Sequence, residues 1–274
     1  MAQVETTPDG YVHARDDDEY QRLRHQAEMW CRARPRRCSA GQPQARNVLP
    51  RRGLWAGLGD ELMADRPDRP ARSPKPDRRQ ARGQALADLK AQGGAEFAVL
   101  EANVLEADAI PGVPFDLTYC RLFLMHMQEP VAALEKMLSW TKPGGVVAAQ
   151  EFDFGAIAVE PLCPAMSEFN RLFEGVFRGH GRNLRAGRQL PAQFEAAGIG
   201  TPNSTLAEVK YIPLGDMAAM LIGVYQGLFA SAVELGIADR ARAEAFKTDM
   251  AEAAADGRYY CLTPILIGAW KRVS

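Results

Sequence analysis

The stretch from Phe115 to Glu151 leaves the chain little choice of fold. Phe115 to Cys120 is an apolar run of strand length, and Val131 to Trp140 carries Leu134, Met137 and Leu138 at helical spacing. Lys142-Pro143-Gly144-Gly145 ends that helix as a turn, and Val146 to Glu151 is a second strand. Strand, helix and strand joined this closely form a right-handed βαβ unit with its two strands parallel. The chain is therefore expected to be α/β, with a mostly parallel sheet and helices on both faces.

Regularity extends on either side of this unit. Gln84 to Gln92 reads as a helix ended by Gly93-Gly94, Phe97 to Glu101 as a short strand, and Asp17 to Trp30 as an N-terminal helix with Tyr20, Leu23 and Ala27 at helical spacing. Downstream, Pro164 to Phe177 places Met166, Phe169, Leu172, Phe173 and Val176 on one helical side, and Leu190 to Ala197 is a shorter helix closed by Gly198. Ser204 to Ile212 alternates like a strand. Met217 to Gly236 and Ile237 to Ala255 form a helical hairpin before a final strand, Ile265 to Arg272. An antiparallel closing strand and a helical cap at about 213–258, shaping a substrate pocket, are expected there.

Residues 31–83 break the pattern. They hold 14 of the 33 basic side chains against 5 acids, a net of +9 that leaves the rest of the chain at −10. Pro35, Pro43, Pro50, Pro67, Pro70, Pro74 and Pro76 exclude a continuous helix or a central strand, so irregular chain is expected, with any short helix confined to about Gly59 to Ala64. The organisation read from sequence is thus an N-terminal helical segment (1–30), an Arg/Pro-rich segment (31–83) and a core (84–274).

No aromatic platform or helical arginine face accompanies the basic block, so nucleic acid is not an expected partner. The longest apolar run, Met217 to Val233, is flanked by Asp216 and Glu234 and contains Gln226, which suits a buried helix better than a membrane span. Cys31, Cys38, Cys120, Cys163 and Cys261 are odd in number and form no CxxC pair. Neither a disulfide framework nor a metal site is expected, and a reducing cytoplasm fits best.

Several short motifs fall in a telling order. They are Glu101-Ala102-Asn103-Val104, Phe115-Asp116-Leu117 through Arg121, Leu124-Met125-His126, Lys142-Pro143-Gly144-Gly145 with its following strand, and Ala186-Gly187-Arg188-Gln189-Leu190-Pro191 leading to Ala196-Ala197-Gly198. In this order the chain from about Gln84 to Val273 resembles the class I S-adenosylmethionine-dependent methyltransferases that act on small molecules. That resemblance implies a Rossmann-like fold, S-adenosylmethionine as cofactor and a small-molecule methyl acceptor. It also implies roles for single residues. Asn103 takes the place of an acid facing the adenine amino group, the Val104 amide meets the ring nitrogen, and Arg121 touches the cofactor through its main chain. Each keeps a plainer alternative: Asn103 capping a turn, Arg121 pairing with a surface acid, His126 packing as an ordinary helix residue. No catalytic base is identifiable.

The front half departs from the family. A strand ending in an acid, a glycine-rich turn and a second strand ending in an acid are implied, yet the nearby glycines are Gly53, Gly57 and Gly59, behind Pro50-Arg51-Arg52. Gly53 and Gly57 are the candidates for the glycine loop. A GC-rich coding of Leu49 to Gly57, read one nucleotide later, gives Cys-Leu-Asp-Val-Gly-Cys-Gly-Pro-Gly, the family's first strand and loop. A coding of Arg66 to Pro70, read out of frame after a preceding GT, gives Val-Gly-Pro-Thr-Gly-Arg, a lead into its second strand. One or more frameshifts across about Cys31 to Gly83 are the expectation. The function read from sequence is methyl transfer from S-adenosylmethionine to a small molecule, impaired in this chain. The alternative is a non-catalytic relic or interaction protein.

Overall fold

The computed structural model describes residues 53–57, 61–64, 98–107 and 110–274. The helices expected at Asp17 to Trp30 and Gln84 to Gln92 lie outside these residues, as does most of 31–83. In chain order the elements are β1 (Gly53–Gly57), β2 (Glu61–Ala64), β3 (Ala98–Glu101), β4 (Phe115–Arg121), α1 (Pro130–Ser139), β5 (Thr141–Asp153), β6 (Ala158–Glu160), α2 (Pro164–Gly179), α3 (Ala186–Ala196), β7 (Ser204–Glu208), β8 (Tyr211–Pro213), α4 (Leu214–Glu234), α5 (Arg240–Asp256), β9 (Tyr260–Leu262) and β10 (Ile265–Arg272). Contacts divide them into two units, described separately below.

The first unit holds most of a seven-stranded sheet in the order β3-β2-β1-β4-β5-β10-β7. β4 runs parallel to β1 on one side and to β5 on the other. Two antiparallel pairings, β1 with β2 and β2 with β3, bring β3 back to the direction of β1. On the other side Val273 receives a bond from Gly144 N (2.9 Å) and donates to Gly145 O (2.9 Å), while Gly268 lies against Gln150. Residue numbers fall along β10 as they rise along β5, so β10 is the expected antiparallel strand. It is inserted inside the sheet, with β7 as the edge.

Two of these strands correct the sequence reading. Gly53–Gly57 and Glu61–Ala64 are strands where irregular chain and at most a short helix were expected. Prolines and arginines dominate the composition of the whole segment, whereas these short stretches contain neither and β4 offers an open edge to pair with. Lys142 to Gly145 is a correction as well. It is part of β5 and not a separate turn, because Thr141 already pairs with Phe115 and the register then shifts to Leu117 opposite Val146.

The core of this unit is built from β4, β5, α1, α3 and β10. Phe115, Cys120, Leu134, Met137, Trp140, Val147, Leu190, Phe194 and Ala269 are buried together, with Leu138 partly buried against them. Each leucine, methionine, valine or phenylalanine among them contributes about 1.5–3 kcal/mol by leaving water. Pro130 begins α1 at a position where its missing N–H costs nothing.

The second unit is mostly helical, with a three-stranded antiparallel sheet in the order β6-β9-β8. All five residues expected on the inner side of α2 are buried, joined by Phe177. Phe169, Phe173 and Phe177 form a ladder along it, with centroids 5.4 and 4.6 Å apart. α4 and α5 form the expected hairpin. Among the described residues α4 is long and apolar enough to cross a membrane, yet Leu214, Met217, Leu221, Val224, Tyr225 and Leu228 are buried, and it packs on α2 and α5 within this unit. α5 is capped by Asp239, whose side chain accepts from Arg242 N (2.9 Å), and ends at Gly257 with φ +76°. Ser204 to Ile212, expected as one strand, is two: β7 joins the large sheet and β8 the small one.

Candidate functional site

In sheets with parallel strands the loops beyond the carboxyl ends carry ligand-binding groups. β4 ends at Arg121, and the chain reverses at once through Leu122. Its φ of +51° is in the left-handed region, which costs a branched residue roughly 1–2 kcal/mol. Leu122 N still bonds Gln150 O at 2.8 Å, and a 3-10 turn, Leu124–His126, follows.

That turn is held by Glu151, which is fully buried in β5. Its Oε1 accepts from Phe123 N (2.8 Å) and Leu124 N (2.7 Å), and its Oε2 from Met125 N (3.4 Å). Burial is the largest influence and pushes the carboxyl up to about 7, against the three amides and the nearby Arg121 charge, which favour ionisation. The buried Cys120 thiol is pushed up by desolvation and then by the Glu151 charge, so it is no nucleophile. Arg121 has its Nε buried without a hydrogen-bond partner among the described residues.

Asn103 is exposed and spends its side chain on its own turn. Oδ1 accepts from Leu105 N (3.0 Å) and Nδ2 donates to Glu106 Oε1 (2.9 Å), while its backbone oxygen accepts from Glu106 N (3.1 Å) and Ala107 N (2.9 Å). These bonds are those of a residue capping its own turn. Val104 is buried in the core cluster and anchors the turn. His126 donates its N–H to Phe123 O (3.0 Å) as an ordinary member of the 3-10 turn.

Gly53 and Gly57 are the first and last residues of β1. Because β1 and β4 are parallel, with Gly53 opposite Leu117 and Ala56 opposite Cys120, Gly57 stands at the carboxyl end and Gly53 at the far end. Only three residues separate Gly57 from Glu61, and those two face each other across an antiparallel pair. A phosphate- or nucleotide-type cradle needs a loop that opens a helix, whose free N–H groups meet the ligand. Here β1 pairs antiparallel with β2, and among the described residues no helix stands between them.

A profile of the family described as a methyltransferase domain matches residues 79–149, which span β3, β4, α1 and most of β5. This segment is similar to a methyltransferase domain. The match starts beyond the β1–β2 hairpin and stops two residues short of Glu151. A methyltransferase of Schizosaccharomyces pombe, itself uncharacterized, is 35% identical over 102 residues, 35% of this chain and 36% of its own length. The match thus covers about a third of that curated relative. Phosphoethanolamine N-methyltransferase 2 of Haemonchus contortus, solved in complex with S-adenosyl-L-methionine, is similar at 12% identity over 69% of this chain and 40% of its own, with a TM-score of 0.33. The YcgJ protein of Bacillus subtilis is similar at 17% identity over 69% and 77%, with a TM-score of 0.35.

S-adenosylmethionine is the cofactor that similarity to a methyltransferase domain implies. The described residues fit it unevenly. The β4 and β5 ends keep buried polar groups and a strained turn, whereas among the described residues β1 leads into the antiparallel β2 and not into a helix that would receive the cofactor's methionine part. Glu151 was missed in reading the sequence, although a lone acid closing an apolar strand was a visible signal.

Proposed function

We propose that the chain descends from enzymes transferring the methyl group of S-adenosylmethionine to a small molecule, and that as written it holds the cofactor weakly. One observation carries the second part: the antiparallel return from Gly57 to Glu61 at the place of the cofactor loop. Loss of several hydrogen bonds to polar or charged cofactor groups, at about 1.5–3 kcal/mol each, lowers affinity by several orders of magnitude. The start of the family match at residue 79 supports a shifted reading frame upstream of it. The same return favours a second reading, a non-catalytic protein kept for an interaction. Three buried free thiols among the described residues, Cys120, Cys163 and Cys261, support a reducing cytoplasm.

Calorimetry tests the proposal. This chain is expected to give no measurable heat with micromolar S-adenosylmethionine, beside a version in which Pro50 to Gly57 is replaced by Leu-Asp-Val-Gly-Cys-Gly-Pro-Gly and binding returns. Micromolar affinity in the unaltered chain overturns the impairment. Binding restored without methyl transfer to any small acceptor favours the non-catalytic reading.

A further inference from the structure

We propose that Glu151 is a positioning residue, whose carboxylate clamps the Phe123–Met125 turn and so fixes the path of Arg121 and Leu122 at the carboxyl end of β4. The proposal rests on the reading that this end faces the cofactor, and it adds a residue outside the family match. Three consecutive amides converge on one side chain 26 to 28 positions later. A 3-10 turn leaves its first N–H groups without internal partners, and here a single buried acceptor takes them. Leu122 needs such a hold. A branched residue with φ +51° relaxes unless its neighbours fix it, and it is tied to Gln150 on one side and through Phe123 to Glu151 on the other.

The acceptor is specific in kind. A carboxylate offers two oxygens and no donor, and bonds to it are roughly twice as strong as neutral ones. Glutamine in its place would turn an NH2 group toward at least one of the three amides. Protonation has a similar effect, since the added O–H has no site among groups that are all donors. Among the described residues the titratable groups that act on Glu151 are Arg121 and Cys120 of β4, with His126 ending the turn; β4 also carries Asp116 and Tyr119, β5 Lys142 and Asp153, and β10 Lys271 and Arg272. Arg121 favours the charged carboxylate, and Cys120, held as a neutral thiol, leaves it unopposed. The clamp is therefore expected to tighten as pH rises through neutrality.

Amide hydrogen exchange read by NMR on the free full-length chain tests this without any cofactor. Protection factors at Phe123 and Leu124, corrected for intrinsic exchange, are expected to rise at least about tenfold between about pH 5.5 and 8.5 in the wild type. In E151L, which removes both acceptor oxygens, they should stay low and flat across the same range. An unchanged protection at these amides in the wild type, or equal protection in E151L at about pH 8.5, overturns the clamp. Should E151L fail to fold, the wild-type series decides alone. A clamp that holds while calorimetry finds no cofactor binding even after loop restoration would leave Glu151 positioning a turn and overturn only the cofactor reading.

Discussion

The Thr118 and Thr141 hydroxyls lie 2.7 Å apart in the interior, and Thr141 passes its proton on to Met137 O at 2.7 Å. This chain of bonds ties β4, the start of β5 and the last turn of α1, satisfying a helix-end carbonyl that water cannot reach. Thr118 Oγ1 also reaches Met137 O directly at 3.3 Å, so Thr141→Val removes the two shorter bonds and leaves this longer one, at an expected cost of about 1 kcal/mol. Thr118→Val removes only the end of the chain and should cost less. Urea denaturation of both variants checks the order, and the reverse order would show the link runs otherwise.

Adjacent glycines in β5 should respond to alanine for different reasons. A Cβ on Gly145 would sit 2.7 Å from Thr141 Cγ2, 2.8 Å from Lys142 O and 3.0 Å from Asp116 O, two of them backbone atoms that cannot move aside. Gly145→Ala is expected to destabilise by about 1–3 kcal/mol through crowding. Gly144 has open space around it but φ +76°, so Gly144→Ala should cost about 1 kcal/mol from backbone conformation alone. Gly144→Asn, which tolerates this region better, should recover part of that loss, and Gly145→Asn should not.

Overall stability should run against the local clamp in pH. The folded Glu151 carboxyl is raised from 4.5 to about 7, so folding favours its neutral form. Its contribution is complete below about pH 4.5 and is lost as pH rises through 7, amounting to ~3 kcal/mol. Subtracting the E151Q unfolding free energy from that of the wild type at each pH isolates this slope. A difference that grows with pH would show that the amides outweigh burial.

In the helical unit the Tyr225 hydroxyl donates to Glu168 Oε1 at 3.0 Å, while its ring stacks on Phe246 with centroids 3.9 Å apart. Arg171, first, and Tyr225 hold the Glu168 carboxyl below its ordinary value, so its stabilisation is present at neutral pH and fades in acid. Tyr225→Phe keeps the stack and should cost about 1 kcal/mol at neutral pH. The penalty should shrink once Glu168 protonates. Thermal unfolding at two pH values checks it, and an acid-independent penalty would place the loss in packing.

Local pattern determined much of this fold. The spacing of Leu134 and Met137, the inward row from Met166 to Val176 and the run Ile265 to Arg272 each repeat with the period of their element, and all stand where the pattern puts them. The family likeness was equally legible, because it rests on the order of short motifs between about Gln84 and Gly198. What only the tertiary structure decided involves partners far apart in the chain. Ser204 to Ile212 carries one unbroken alternation, yet separate sheets claim its two halves. β1 and β2 form where an edge of β4 is available, against the composition around them. Asn103 suits a ligand or a turn equally by residue type, and only the folded chain shows the two side-chain bonds it makes within the turn. Glu151 reads as a strand residue until the amides of Phe123 to Met125 are brought to it. Periodicity records which face a residue turns inward; hydrogen-bond geometry across dozens of residues exists only once the chain has closed on itself.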